Sequence, residues 1–144
     1  MPILTKERLA NYGHFVDFLE RGSEQELHLI AGLPEALLEV YCNVTNSYLP
    51  FDPHLGGELT REYDIRLLAR ELFLWSAHIA QCRLDANDVS QLIDIYLPTK
   101  PVEHSVYSAA LNEMRQDLVE TATFLGTQLL KVAKSGNTLV IDGI

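Results

Sequence analysis

Lysine and arginine are missing altogether from Gly22 to Thr60, a stretch that holds the acids Glu24, Glu26, Glu35, Glu39, Asp52 and Glu58. A second stretch without Lys or Arg, Leu84 to Thr99, carries Asp85, Asp88 and Asp94, whereas Arg61, Arg66, Arg70 and Arg83 gather between the two. With 20 acids against 11 bases, the chain carries a net charge of −9. A surface of that sign is repelled by phosphate backbones and by anionic lipid, so the sequence predicts neither a nucleic-acid partner nor a membrane partner.

Long apolar runs are also missing: nothing approaches the roughly 18–20 residues that a membrane span needs. Met1 to Ala10 lacks the basic-then-apolar layout of a secretory signal, and the simplest expectation is a cytoplasmic protein. Cysteine is scarce. Cys42 and Cys82 lie in apolar surroundings and are expected to stay reduced in that compartment, packing like small hydrophobes. There is no C-x-x-C, H-E-x-x-H or G-x-S-x-G pattern, and Gly56–Gly57 lack the flanking residues of a phosphate-cradling loop. No cofactor is expected, and the sequence leans away from an enzyme.

What is present is enough for one core. The chain has 144 residues, 47% of them apolar, which suits a single domain over 1–144. From Thr5 to Arg21 the residues Leu9, Tyr12, Phe15, Val16 and Leu19 recur at steps of three and four, predicting an amphipathic helix that Gly22 stops. Ser23 and Glu26 form an S-x-x-E capping box for a short helix to about Ala31. Pro34 opens a third helix that ends near Asn46, with Leu37, Val40, Tyr41, Val44 and Tyr48 lining one face. The segment YLPFDPHLGG, residues 48–57, breaks the pattern and reads as the main loop.

Beyond it, residues 58–83 turn apolar almost all round, through Leu67, Leu68, Leu72, Phe73, Leu74, Trp75, Ala77, Ile79 and Ala80, as befits a central buried helix. Asp88 and Gln91 suggest the start of another helix, stopped before Pro98. From about 103 to 134, Tyr107, Leu111, Met114, Leu118, Ala122, Leu125, Leu129 and Val132 form a seam at steps of three and four. At 1.5 Å per residue that helix is about 45 Å long. It overhangs a monomer of this size, which calls for a kink at Gly126 or a second copy of the chain on the seam. Thr138 to Ile141 form a β-prone tail, expected to pair with Ile3 and Leu4 or with another protomer. The fold expected is therefore all-α: a bundle of five or six helices around a buried central helix, a long C-terminal helix and a short β-prone tail, assembled as a homodimer.

Three functional readings fit. The first is a non-enzymatic inhibitor, immunity or adaptor protein. It would hold a basic protein partner on an acidic helical face and the 48–57 loop, using Glu24, Glu35, Glu39, Tyr48, Phe51 and Asp52. The second is a metal-dependent enzyme or sensor in which His54 joins Glu58 and Glu62, one helical turn apart, as imidazole and oxygen ligands. Against it, acids in a first helical turn suit the helix dipole, and Glu62 is placed to pair with Arg66. The third is a helical small-ligand sensor built around Trp75.

Overall fold

A computed structural model describes residues 15–35, 38–39, 51, 55–81 and 103–143. In chain order these form β1 (Phe15–Arg21), β2 (Leu27–Pro34), β3 (Gly57–Leu59), α1 (Glu62–Gln81), α2 (His104–Ser135) and β4 (Thr138–Asp142). The strands make one antiparallel sheet in the order β2-β1-β4-β3. Strand β4, last in the chain, thus lies inside the sheet between β1 and β3, so closing the sheet requires the C-terminus to return past both helices.

Alternation along the strands decides which face meets the helices. Val16 and Phe18 of β1, Ala31 and Leu33 of β2, Leu59 of β3, and Leu139 and Ile141 of β4 are all buried. Register places them side by side, Val16 opposite Leu33, Phe18 opposite both Ala31 and Ile141, and Leu59 opposite Leu139. Against this face α1 turns Ile65, Leu68, Leu72, Trp75 and Ile79, and α2 turns Met114, Leu118, Leu125, Leu129 and Val132. Each large side chain removed from water contributes about 1.5–3 kcal/mol, and the result is a two-layer α+β arrangement with one core.

Polar contacts fix how the helices pass. Arg115 of α2 donates from Nη1 to the carbonyls of Ile79 (2.9 Å) and Ala80 (2.8 Å), satisfying acceptors in the last turn of α1. Ser76 Oγ lies 2.8 Å from Thr123 Oγ1 and donates to the Val119 carbonyl at 3.3 Å. Gly126 lies against Phe73, where a Cβ would come within 3.0 Å of the ring. Later positions on α1 thus meet earlier ones on α2, and the two helices run antiparallel.

The turn after α2 is pinned as well. Gly136 takes the left-handed conformation (φ 79°) that ends the helix, and its N–H reaches the Ala133 carbonyl at 3.4 Å. Asn137 Nδ2 donates to Glu20 of β1 at 2.7 Å. At the entry to β3, Gly56 has φ 77°, and a Cβ there would lie 2.3 Å from the Ile141 carbonyl oxygen. Only glycine lets the chain come so close to β4.

An all-α bundle of five or six helices is therefore incorrect: the described residues contain two helices and a four-stranded sheet. Residues 15–21, expected to end a helix, form β1. Ser23–Glu26 is a hairpin turn rather than a capping box: the Gly22 N–H reaches the Glu26 carbonyl, the Gln25 N–H reaches the Gly22 carbonyl, both at 3.0 Å, and Gln25 has φ 68°. Strand pairing across β1, β2 and β4 satisfies the ladder groups cooperatively, which outweighs local helical spacing.

The expected central helix over 58–83 loses its first residues to β3, and it is not buried all round, since Tyr63, Leu67 and Leu74 are exposed. The long helix is present nearly as expected, and it runs unbroken through Gly126. The part of its seam from Met114 to Val132 is buried within its own chain, so that seam is not open to a second copy. The β-prone tail does pair, with β1 and β3; Ile3 and Leu4 lie outside the described residues, as does the helix expected from Asp88.

Candidate interaction surface

Among the described residues both helices lie on one side of the sheet, and its other side carries the odd-numbered β1 residues and their neighbours. Three rows cross it. Leu27, Arg21 and Thr138 form the first, Leu29, Leu19, Val140 and Glu58 the second, and Gly32, Asp17 and Asp142 the third. Leu27 is 54% exposed and Leu29 61% exposed, while Leu19 and Val140 are half-buried. A β-bulge shifts the pairing of β2 between Phe18 and Leu19. It brings Leu29 onto the outer face beside Leu19, whereas Ala31 and Leu33 keep to the core.

Charge borders this apolar row. Glu24 and Glu26 sit exposed in the turn above Leu27, and Asp17 faces Asp142 across the ladder below. Asp17 is half-buried there, with its Oδ1 shielded from water, so Asp142 is the exposed acid of this row. The one described base in these rows, Arg21, reaches diagonally over β4 and grips Glu58 with both guanidinium ends, at 2.8 and 2.9 Å. That fork pins β3 to β1 and removes Arg21 as a counter-charge for the carboxylates.

The same fork makes the edge of the sheet sensitive to acid. Hydrogen bonds from Arg21, assisted by its charge and opposed by partial desolvation, hold the Glu58 carboxyl below its ordinary value of 4.5. A lowered folded-state value contributes stability above the unfolded value and loses it as pH falls through the folded one. Glu58→Gln is accordingly expected to lower Tm at neutral pH, with the gap from the parent closing in acid below about pH 4 and shrinking in high salt. A gap of constant size in melts across that range would show that the pair does not act in this way.

Of the residues singled out in the sequence, the described ones do not form one face. Glu24 lies in the β1–β2 turn and Glu35 beyond the far end of β2, about 25 Å away along an eight-residue strand. Glu39 is exposed next to Leu38, which is buried. Phe51 is engaged with the core, edge-on to Phe18 with ring centroids 5.9 Å apart. Tyr48, Asp52 and His54 lie outside the described residues. Glu58 and Glu62 do not share a helical face, because Glu58 is on β3 while Glu62 starts α1 and accepts from Arg66 at 2.8 Å. No group of three or more potential ligands that could hold a metal occurs among the described residues.

Trp75 is fully buried in the core. A shallow hollow of about 460 Å³ lies along α2, lined by Val119, Glu120, Thr123, Phe124, Thr127 and Gln128. Its described wall is a single helix, whereas small-ligand sites enclose most of their ligand. Helical spacing in the sequence hides the outer row of the sheet, although the alternation in Thr138 to Asp142 and in Phe15 to Glu20 is a signal for it. No described helix is long and apolar enough to cross a membrane. No family model matches the chain, and no curated protein or solved structure is significantly similar to it.

Proposed function

We propose that this chain is a non-enzymatic binding protein of the cytoplasm, of the inhibitor, immunity or adaptor kind. Its outer sheet face captures a basic, amphipathic segment of another protein. The observation that carries this reading is the row Leu29–Leu19–Val140 with Leu27 beside it, exposed at Leu27 and Leu29, half-buried at Leu19 and Val140, and bordered by the exposed acids Glu24, Glu26 and Asp142. Apolar side chains at the centre of such a patch supply binding energy once water is excluded, and the one-signed border steers and orients a cationic partner.

The complementary ligand has alternating apolar residues to lie on the row and Lys or Arg at its flanks. Selection from a displayed library of random peptides tests this with no assumption about the partner's identity. Binders enriched in apolar residues flanked by Lys or Arg, and competing with one another for a single site, are the expected result. Enrichment of acidic peptides, or binders unaffected by changes at Leu27 and Leu29, would contradict it.

A further inference from the structure

We propose that the partner segment adds as a further strand along the outer edge of β2, hydrogen-bonded to the backbone of Leu27 and Leu29. This rests on the reading above: the segment is the same basic, apolar one, and what is added is the way it is held. The β1–β2 turn fixes the geometry. The Gly22 N–H donates to the Glu26 carbonyl at 3.0 Å, which makes these two a hydrogen-bonded pair. Such pairs alternate with non-bonded ones along an antiparallel ladder. Arg21 opposite Leu27 is therefore non-bonded, Glu20 opposite His28 bonded, and Leu19 opposite Leu29 non-bonded. The N–H and C=O groups of Leu27 and Leu29 consequently point away from β1, out of the edge of the sheet.

Among the described residues no segment takes up these groups. β2 is the outermost strand on its side of the sheet, and the hydrogen bonds of turns and loops do not reach Leu27 or Leu29. Leu27, His28 and Leu29 are all exposed. The opposite edge is different: β3 spans three residues, a short edge of the kind that discourages added strands. β2 runs for eight, LHLIAGLP, without an acid, lysine or arginine to guard it. The bulge beyond Leu29 limits the pairing to a short stretch.

Charge and side chains identify the occupant. Glu24 and Glu26 are exposed just before Leu27, and the sequence has no Lys or Arg from Gly22 to Thr60. A second copy would bring the same acids and a net charge of −9 to this edge, whereas Lys or Arg flanking an extended segment meets them with opposite sign. Alternate side chains of the added strand fall on the outer face and extend the row Leu29–Leu19–Val140; those between fall on the side of His28. Backbone pairing then supplies affinity, and the alternate side chains supply selectivity.

A peptide obtained from the library selection, synthesised with single N-methyl groups along its backbone, tests this on the unmodified protein. Methyl groups at one alternate set of amides should weaken capture about tenfold, and those at the set between should change it less than about twofold. Hydrogen exchange at the Leu27 and Leu29 amides should slow by about tenfold or more in the complex. A peptide that competes for the outer face, yet tolerates methylation at every position and leaves both amides exchanging as before, overturns strand addition while capture by the face stands. A selection that yields no basic binder removes both. Protection of Leu27 and Leu29 that appears without peptide and rises with protein concentration would assign the edge to a second copy, against the proposal.

Discussion

Leu27→Asp/Leu29→Asp is expected to bind the selected basic peptides roughly a hundredfold more weakly than the parent, the scale set by losing central apolar contacts of an interface. Both side chains are more than half exposed, at 54% and 61%, so polar replacement leaves no cavity and little change in Tm. The separation of a large binding effect from a small stability effect makes the variant informative. New carboxylates beside Glu24 and Glu26 would by themselves attract a basic peptide more strongly. A loss of affinity therefore reports the apolar row. Reversing Glu24 and Glu26 to Lys should act mainly on the association rate and its salt dependence. Calorimetric titration with Leu74→Asp as a control on the opposite layer checks the assignment, and equal losses at both places would refute it.

Trp75→Ala should destabilise the fold by about 3–5 kcal/mol, the usual cost of emptying the site of a large aromatic side chain. That is a large part of the roughly 5–15 kcal/mol that keeps a domain folded. Trp75 has 0% exposure on the core face of α1, whereas the adjacent Leu74 is 47% exposed on the other side. Leu74→Ala should therefore cost less than about 1 kcal/mol. In a helix buried on every side, losing that leucine would cost about 2–5 kcal/mol too. Urea unfolding of the two variants thus separates the two-layer fold from a bundle with a central helix, and similar losses would favour the bundle.

The parts legible in the sequence are those whose local signal and tertiary role agree. In α2 the seam from Met114 to Val132 matches the buried stripe, and Gly136 ends the helix in the left-handed conformation that glycine favours. The β-prone tail is also visible, although its place between β1 and β3 is not. Phe15, Val16 and Leu19 fit a helix at steps of three and four, yet the alternation that buries Val16 and Phe18 is the one the fold uses. In the same way Ser23–Glu26 serves a cap or a turn, and only pairing of Arg21 with Leu27 decides between them. The apolar surplus on α1 suggests central burial. It reflects instead a core face and an opposite exposed seam, which composition cannot separate.

Of the candidate site, the acidic character is legible and its apolar centre is not. Glu24 belongs to the border, but Leu19, Leu29 and Val140 come together only through strand register, across more than a hundred residues of chain. Glu58, expected to be a metal ligand on a helix, is instead the strand residue gripped by Arg21.

The most direct measurement is an amide chemical-shift titration of the isotope-labelled chain with a selected basic peptide. Shifts should concentrate at Leu19, Arg21, Leu27, Leu29 and Val140, leaving the solvent-facing residues of α1 unmoved. Perturbations centred on Tyr63, Leu67 and Leu74, or on the hollow along α2, with the sheet unchanged, would contradict docking on the outer face.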